Sequence, residues 1–426
     1  MGVTAWGRLG WPDAAAEIPL GDRHAPLPPC DGTLLAYGNG RSYGDVGLNP
    51  GGTLLKLRGL DRFIAFDAET GALTCEAGVL LADILDLVVP RGWFLAVTPG
   101  TRFVTVGGAI ANDVHGKNHH AAGSFGDHLL SCELLRSDGA RLTCSREENA
   151  DWFAATIGGL GLTGVVTQAT IRLRRIRGTA MAVRNTRFTG LDEFFARNAE
   201  AEKAHEYAVA WIDCLAQTPR GVLMAGDHAE GELPAPRGAK RVPLTPPFSL
   251  INGLSLRAFN AGYYGKPWPA EARQHYLPYF YPLDAIHDWN RIYGKPGFYQ
   301  YQCAVPPASA RVAIGEMLDT IAASGQGSFL AVLKNFGERP APGLLSFPMP
   351  GTTLALDFPN HGAPTLALFA RLDAIVRAAG GRLYAAKDAR MSGDFFRAAY
   401  PQWQDFSRFV DPKFSSGFWR RVMEQA

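Results

Sequence analysis

Apolar residues in the first third of the chain come in short runs that end in glycine, the pattern of strands joined by tight turns. "TLLAYGNG" reads as a strand entering a glycine loop, "TLLKLRGL" as a second strand, and "FIAFDAETGALTCEAG" as two strands joined at Glu69, Thr70 and Gly71. The period changes in "LLADILDLVVPRG", where apolar residues fall at helical spacing until Pro90 and Gly92 stop them. "GWFLAVTPGT" returns to strand, and "HLLSCELLRSDGARLTC" forms a hairpin around Asp138 and Gly139. "ENADWFAATIGG" predicts a capped helix, and "TGVVTQATIRLRRI" a long strand that closes the block.

Past residue 178 the texture changes. "AEGELPAPRGAKRVPLTPP" is rich in proline and charge, and predicts a long loop or mobile flap. Aromatic residues then crowd "YYGKPWPAEARQHYLPYFYPLDAIHDWNRIYGKPGFYQYQ". "GFYQYQCAVP", "GSFLAVLKNFG" and "TTLALDFP" alternate as strands, while "APTLALFARLDAIVRAAGG" is an amphipathic helix ending at Gly380 and Gly381. The pattern predicts an α+β protein whose later block carries a sheet with helix on one side.

Composition narrows the function. The chain has 426 residues, 47% of them apolar and 19% charged, with a net charge of +2 and no long basic run, so a phosphate-tracking nucleic-acid partner is not expected. The opening "MGVTAWGRLGWPDAAAEIPLGD" lacks a basic stretch leading into an apolar one, and no apolar run reaches membrane-spanning length. A cytoplasmic protein is expected, with room for peripheral contact at the inner membrane face. The six cysteines contain no CxxC pair, which argues for reduced thiols rather than a disulfide framework or zinc ribbon.

Two glycine loops carry the candidate chemistry. "AYGNGRSYGD" places Gly38, Gly40 and Gly44 after a strand, but no helix follows, so the Rossmann pattern is not met. A nest of inward backbone N–H groups holding phosphate needs no helix. A second loop, "TPGTRFVTVGGAIAND", carries Gly100, Gly107 and Gly108 beside a predicted helix start. Two nests suit a pyrophosphate held from two sides, which points to FAD. His115, His119 and His120 are spaced to share a metal on a helix, but Gly116 breaks that helix and no carboxylate motif completes a site. A metal site, an ordinary polar loop and the floor of a dinucleotide pocket are the three readings, and the last suits the neighbouring glycines.

"GNGRSYGD", "PGTRFVTVGGAIANDVHGKNHHAAGSFGD" and "GGLGLTGVV" resemble the FAD-binding segments of the vanillyl-alcohol-oxidase superfamily, with its PCMH-type FAD-binding domain. More narrowly, the chain resembles the decaprenylphosphoryl-β-D-ribose 2′-oxidase family. That likeness continues through "PLDAIHDWNRIYGKPGFYQYQ", "SFLAVLKNFG", "LSFPMPGTTLALDFP", "GGRLYAAKDAR" and "YPQW". The resemblance implies a discontinuous FAD-binding domain, residues 1–178 completed by 382–426, and a substrate domain with an antiparallel sheet over 179–381.

It also implies roles for residues. Ala36, Tyr37, Gly38, Asn39, Gly40, Arg41 and Ser42 would line the FAD, as would Gly100, Thr105, Val106, Gly107 and Gly108. Asn112, Asp113, Val114 and His115 would do the same, with Lys117 nearby, Val166 at the adenine side, and Tyr384 and Lys387 where the chain returns to the flavin. The superfamily's covalent flavin histidine falls at Arg41, which implies non-covalent FAD. Gln300, Gln302, Phe280, Thr353 and Ala355 fall on substrate positions. Three residues depart from the pattern: Ala355 replaces a cysteine, Thr353 an asparagine, and Phe409 in "RFVDP" a lysine, so that Lys334, Lys387 or Arg408 would carry the missing charge, or the substrate would need less of it.

Flavin-dependent alcohol oxidation needs an acceptor for the hydroxyl proton, and a lysine desolvated among aromatics can supply one. Lys334, Tyr43, His115, Gln302 and Lys387 are the catalytic candidates, with Gln300 and Gln302 on one face of a strand by its period of two. The substrate implied is a lipid-linked sugar, the 2′-hydroxyl of a polyprenyl-phospho-pentose. The partners implied are a short-chain reductase completing an epimerisation and a quinone or O2 as electron acceptor. A lactone or alditol oxidase acting on a soluble sugar, and a flavin-binding homologue without activity, are the rival readings.

Overall fold

The protein is described here from a computed structural model that covers residues 3–236 and 238–423. The N-terminal block is organised by the strand Val165–Arg175, whose inward side chains alternate along its length. It pairs antiparallel with Ala72–Glu76 on one side and Leu129–Leu135 on the other, and its far end takes up Trp93–Leu95. Phe63–Asp67 and Arg141–Ser145 complete this sheet at its edges. The helix Leu81–Val88 buries Leu81, Ile84, Leu85 and Val88 against it and gives way to a turn of 3₁₀ helix containing Pro90, where Gly92 adopts φ 76°. A small parallel sheet ordered Ala16–Pro19, Thr53–Lys56, Leu34–Tyr37 stands beside it. Its last strand feeds the glycine loop at 38–42 directly into the cleft described below.

One local expectation is corrected. The helix Ala150–Thr156 forms, but Asn149 does not cap it with its side chain. Asn149 sits at φ 50° and its amide donates instead to the Thr143 carbonyl at 2.7 Å, so the loop is tied to the preceding strand.

The later block is a single antiparallel sheet of eight strands. Its order is Glu271–His275, Ala180–Thr189, Arg220–His228, Tyr207–Asp213, Ala331–Phe336, Gly351–Pro359, Phe298–Val305, Arg382–Leu383. The helices Leu191–Ala204, Pro307–Ser324 and Ala363–Ala378 pack on one face, where Ile314, Met317, Phe369 and Leu372 meet Leu333, Leu354 and Leu356 in the largest core cluster. Because side chains alternate, the other face receives Val332, Lys334, Thr353, Ala355, Gln300 and Gln302, and it forms one wall of the cleft. The described residues of segment 229–252 have little regular structure apart from Lys240–Arg241, which pairs with Ile286–His287, and they run into the helix Gly253–Gly265. No helix among the described residues is long and apolar enough to cross a membrane.

The C-terminal segment returns to the first block. Phe414 bridges to Leu34, and Ser137 donates to Asp411 through both its N–H and its hydroxyl. In the helix Gly417–Met423, Arg421 donates to both oxygens of buried Asp45, at 3.0 and 2.7 Å, and to Asp388 at 3.0 Å. Removing one partner of such a buried cluster leaves charge without compensation, so Arg421→Met is expected to lower unfolding stability by about 3–5 kcal/mol. Urea unfolding followed by tryptophan fluorescence measures it. A loss smaller than about 1 kcal/mol, the range of an exposed pair, would show that this cluster does not hold the C-terminus in place.

Candidate active site

The cleft, about 490 Å3 in volume, lies between the free face of the large sheet and the glycine loops of the first block. That is the size of cavity that takes a cofactor or drug-sized ligand. Residues 36–42 line it without a gap, and so do Gly100, Thr105, Gly107, Gly108, Asn112, Val114, His115, Lys117 and Val166. Tyr43, Phe280, Gln300, Gln302, Lys334, Thr353, Ala355, Tyr384 and Lys387 complete the set brought together from distant parts of the sequence.

Two expected cofactor residues lie elsewhere. Val106 is fully buried in the core under the helix Val106–Ala111. Asp113 is also buried and does not line the cleft. Its carboxylate accepts the Gly126 N–H at 2.9 Å and the Ser346 hydroxyl at 2.6 Å, pinning the loop from behind, and burial raises its pKa to about 6. Phe409 is a third correction. Its ring packs on Trp152 at 5.0 Å and its carbonyl accepts from Arg136, outside the cleft, so a lysine absent at this position is not a charge absent from the site.

The two glycine loops differ in what they offer. Among the described residues, the backbone N–H groups of Asn39, Gly40, Arg41 and Ser42 have no protein acceptor, which leaves a nest open to the cleft. In the second loop the Gly107 N–H donates to the Ala77 carbonyl and the Gly108 N–H to the Thr105 hydroxyl, so these two glycines serve close packing rather than anion binding. A Cβ on Gly107 would lie 3.1 Å from that of Ala77. The loops meet where a Cβ on Gly38 would lie 2.4 Å from Thr105 Oγ1, and Asn39 fixes the crossing by donating to the Phe103 carbonyl at 2.7 Å. Gly40 stands at φ 60°, where an L side chain is strained. Arg41 stacks its guanidinium on Trp6 at 4.2 Å.

Three buried polar atoms on residues that line this cleft have no protein partner: Arg41 Nε, Asn112 Oδ1 and His115 Nδ1. Such groups normally carry a hydrogen bond, so a polar ligand fits here. The open nest and the orphan atoms together fit an FAD.

The histidines divide their labour. His115 Nε2 lies 3.1 Å from Gln302 Nε2, whose N–H it accepts, and this places the ring proton on the unpartnered Nδ1. Burial, then the neighbouring Lys334, His119 and Lys387, hold His115 neutral with a pKa well below the usual range. His119 accepts the Gly337 N–H at 3.1 Å, and burial lowers its pKa to about 3. His120 meets the His205 carbonyl. The three rings thus engage three different partners, and among the described residues no group of three or more His, Cys, Asp or Glu is placed to hold a metal.

Three lysines converge on the cleft without a carboxylate partner within ion-pair distance among the described residues. Lys334 donates to the Gly116 carbonyl at 2.5 Å and lies 7% exposed. Burial, with Lys117 nearby, lowers its pKa to about 7. Lys117, bonded to the Tyr279 carbonyl, is brought to about 7 by burial alone. Lys387 lies 3.9 Å over the Tyr43 ring, and burial lowers its pKa against the opposing pull of Asp357.

Asp357 was not singled out by the sequence motifs. It is fully buried, burial raises its pKa, one oxygen accepts Gln300 Nε2 at 2.6 Å, and the other has no partner. The alternation of "TTLALDFP" places it on the face of Thr353 and Ala355, and that was the signal available.

A model of an FAD binding domain matches residues 31–145. The chain is 38% identical over 415 residues to decaprenylphosphoryl-β-D-ribose oxidase of Mycolicibacterium smegmatis, a match that covers 91% of this chain and 89% of that one. It is 36% identical to an uncharacterised Streptomyces coelicolor protein across 81% of this chain and 100% of that one. L-gulonolactone oxidase of Mus musculus is 31% identical over only 33% of this chain.

Gly38 gives a direct test of the crossing. Gly38→Val would drive a side chain into Thr105 and displace the hydroxyl that caps the helix Val106–Ala111, a cap worth about 1 kcal/mol by itself. The variant is expected to fold but purify with little or no FAD, as read from the ratio of visible to ultraviolet absorbance. Wild-type FAD content would show that the loop crossing does not shape the cofactor seat.

Proposed function

The chain belongs to the decaprenylphosphoryl-β-D-ribose oxidase family of FAD-binding oxidoreductases acting on CH–OH groups, and we propose that it oxidises a secondary sugar hydroxyl, the 2′-hydroxyl of a polyprenyl-phospho-pentose. The observation that carries this reading is Lys334, a buried amine with no counter-ion, on the same sheet face as Gln300 and Gln302. An FAD seated against the loop at 39–42 would supply the acceptor for the carbinol hydrogen, transferred as hydride. The protein supplies the rest.

With its pKa near 7, Lys334 is a substantial fraction neutral amine at neutral pH, and its Nζ can accept the hydroxyl proton. The Gly116 carbonyl fixes that nitrogen in place. Gln302 is held between His115 and Thr353, its Nε2 lying 3.1 and 3.3 Å from them, and it orients a sugar oxygen beside the base. Gln300, tied to Asp357, reads a second hydroxyl. Lys387 supplies positive charge where the chain crosses Tyr43. Ala355, smaller than cysteine, leaves room between Val332 and Gln302 for the sugar ring. The FAD is held non-covalently through the open nest. Quinone or O2 serves as electron acceptor, and a short-chain reductase reduces the keto sugar to complete an epimerisation.

Acid precipitation of the holoprotein is expected to release all of its FAD into the supernatant, because Arg41 stands where a histidyl bond would form. Yellow colour left in the pellet would reject this.

For the base, Lys334→Met is expected to keep its FAD while the anaerobic bleaching of flavin absorbance by a polyprenyl-phospho-ribose slows by about two to four decades, the range of a lost general base. Bleaching at the wild-type rate would remove Lys334 from the role. Bleaching of the wild type by soluble alditols or lactones, with the lipid-linked sugar inert, would assign the site to a different substrate.

A further inference from the structure

Residues 233–270 hold five lysines and arginines, Arg237, Lys240, Arg241, Arg257 and Lys266, and no aspartate or glutamate, while the whole chain carries a net charge of only +2. The rest of the chain is therefore net negative, and the excess of basic over acidic residues comes from this segment. The same segment contributes Leu244, Phe248, Leu250, Leu254 and Phe259 to the exposed large apolar side chains, with Leu244 at 77%, Phe248 at 65% and Leu254 at 81% exposure. The helix Gly253–Gly265 buries Leu256 and Asn260 and turns Leu254, Arg257 and Phe259 outward. Scattered exposed apolar residues need no explanation, but a cluster of them in an acid-free basic segment does.

The segment is packed against the rim of the cleft. Lys240 and Arg241 pair with Ile286 and His287, Leu250 N–H donates to the Ile292 carbonyl, and Lys295 N–H donates to the Pro246 carbonyl. Ile286, His287, Asp288 and Trp289 in turn line the cleft wall.

We propose that residues 240–259 form a docking surface for an anionic lipid bilayer, which sets the rim of the cleft against the membrane. Exposed leucine and phenylalanine interleaved with lysine and arginine is the composition that lies in a lipid interface, with apolar side chains entering the acyl boundary and cations meeting the headgroups. A second copy of the chain is a poorer occupant, because a two-fold contact would set this basic patch against itself. The inference deepens the lipid-linked reading of the site but does not need its substrate, since docking is measured without turnover.

Cosedimentation of the holoprotein with vesicles tests it, using phosphatidylcholine alone and phosphatidylcholine with a third of phosphatidylglycerol. Binding to the anionic vesicles is expected to be at least about tenfold tighter than to the neutral ones and to weaken in high salt. Lys240→Glu with Arg257→Glu, and separately Leu244→Ser with Phe248→Ser and Leu254→Ser, should each reduce it about tenfold or more, with FAD content unchanged. Equal binding to both vesicle types, no binding to either, or variants that bind as the wild type does would overturn the proposal. A concentration-dependent dimer in sedimentation velocity that either variant abolishes would overturn it as well, and would assign the face to a second copy. If docking fails while the lipid-linked sugar still bleaches the flavin, only the surface is lost; docking without bleaching would leave the surface and remove the substrate.

Discussion

Burial of lysine without a counter-ion is the constraint on which the site depends. An ammonium taken out of water is costly enough that the group gives up its proton rather than stay charged alone. Lys334, Lys117 and Lys387 all meet this condition in one cleft, and none has a carboxylate within ion-pair distance among the described residues. The consequence is twofold: the amines become able to accept a proton near neutral pH, and the cleft becomes a seat that an anionic ligand stabilises. The same burial keeps His115 neutral, with its Nδ1 left without a protein partner.

That constraint is met only because the architecture supplies both walls. Alternation along three adjacent strands, Phe298–Val305, Gly351–Pro359 and Ala331–Phe336, puts glutamines, threonine and lysine on the face away from the helices. The opposite wall holds the glycine loops, with Trp6, Arg41 and Phe103 beside them. It comes from the glycine loop after Leu34–Tyr37 and is closed by the returning segment, where Tyr384 donates to the Asn112 carbonyl at 2.8 Å and the Tyr43 N–H donates to the Ala386 carbonyl at 3.0 Å. Gly44 is required at that crossing, since a Cβ there would meet the Asp388 carbonyl.

Much of this was legible in the sequence where a local rule sufficed. The period of two in "LAVLKNF" placed Lys334 opposite Leu333, and Leu333 is in the core while Lys334 faces the cleft. Glycine after a short strand pointed to the loop at 39–42, whose N–H groups have no protein acceptor among the described residues. The same logic failed for Gly107 and Gly108, because whether an N–H is free depends on a neighbour far along the chain, here Ala77, and no local pattern records it. Asp113 and Val106 failed for a related reason: they sit among residues that do line the cleft, but the turn of the helix Val106–Ala111 and the loop after it points them into the core. Phe409 drew attention as a missing charge, yet its position was set by packing on Trp152, a contact invisible to motif comparison. Asp357 is legible from alternation alone, since the period of two sets it on the face of Thr353 and Ala355.

The central claim is that Lys334 is an amine with a depressed pKa, and this can be measured without turnover. Reductive methylation with 13C-labelled formaldehyde followed by NMR titration resolves each lysine by its own midpoint. The account predicts a resonance titrating near pH 7 that disappears in Lys334→Met, well apart from the surface lysines. A spectrum in which the resonance lost in that variant titrates with the surface lysines near their ordinary value of about 10.4 would contradict it.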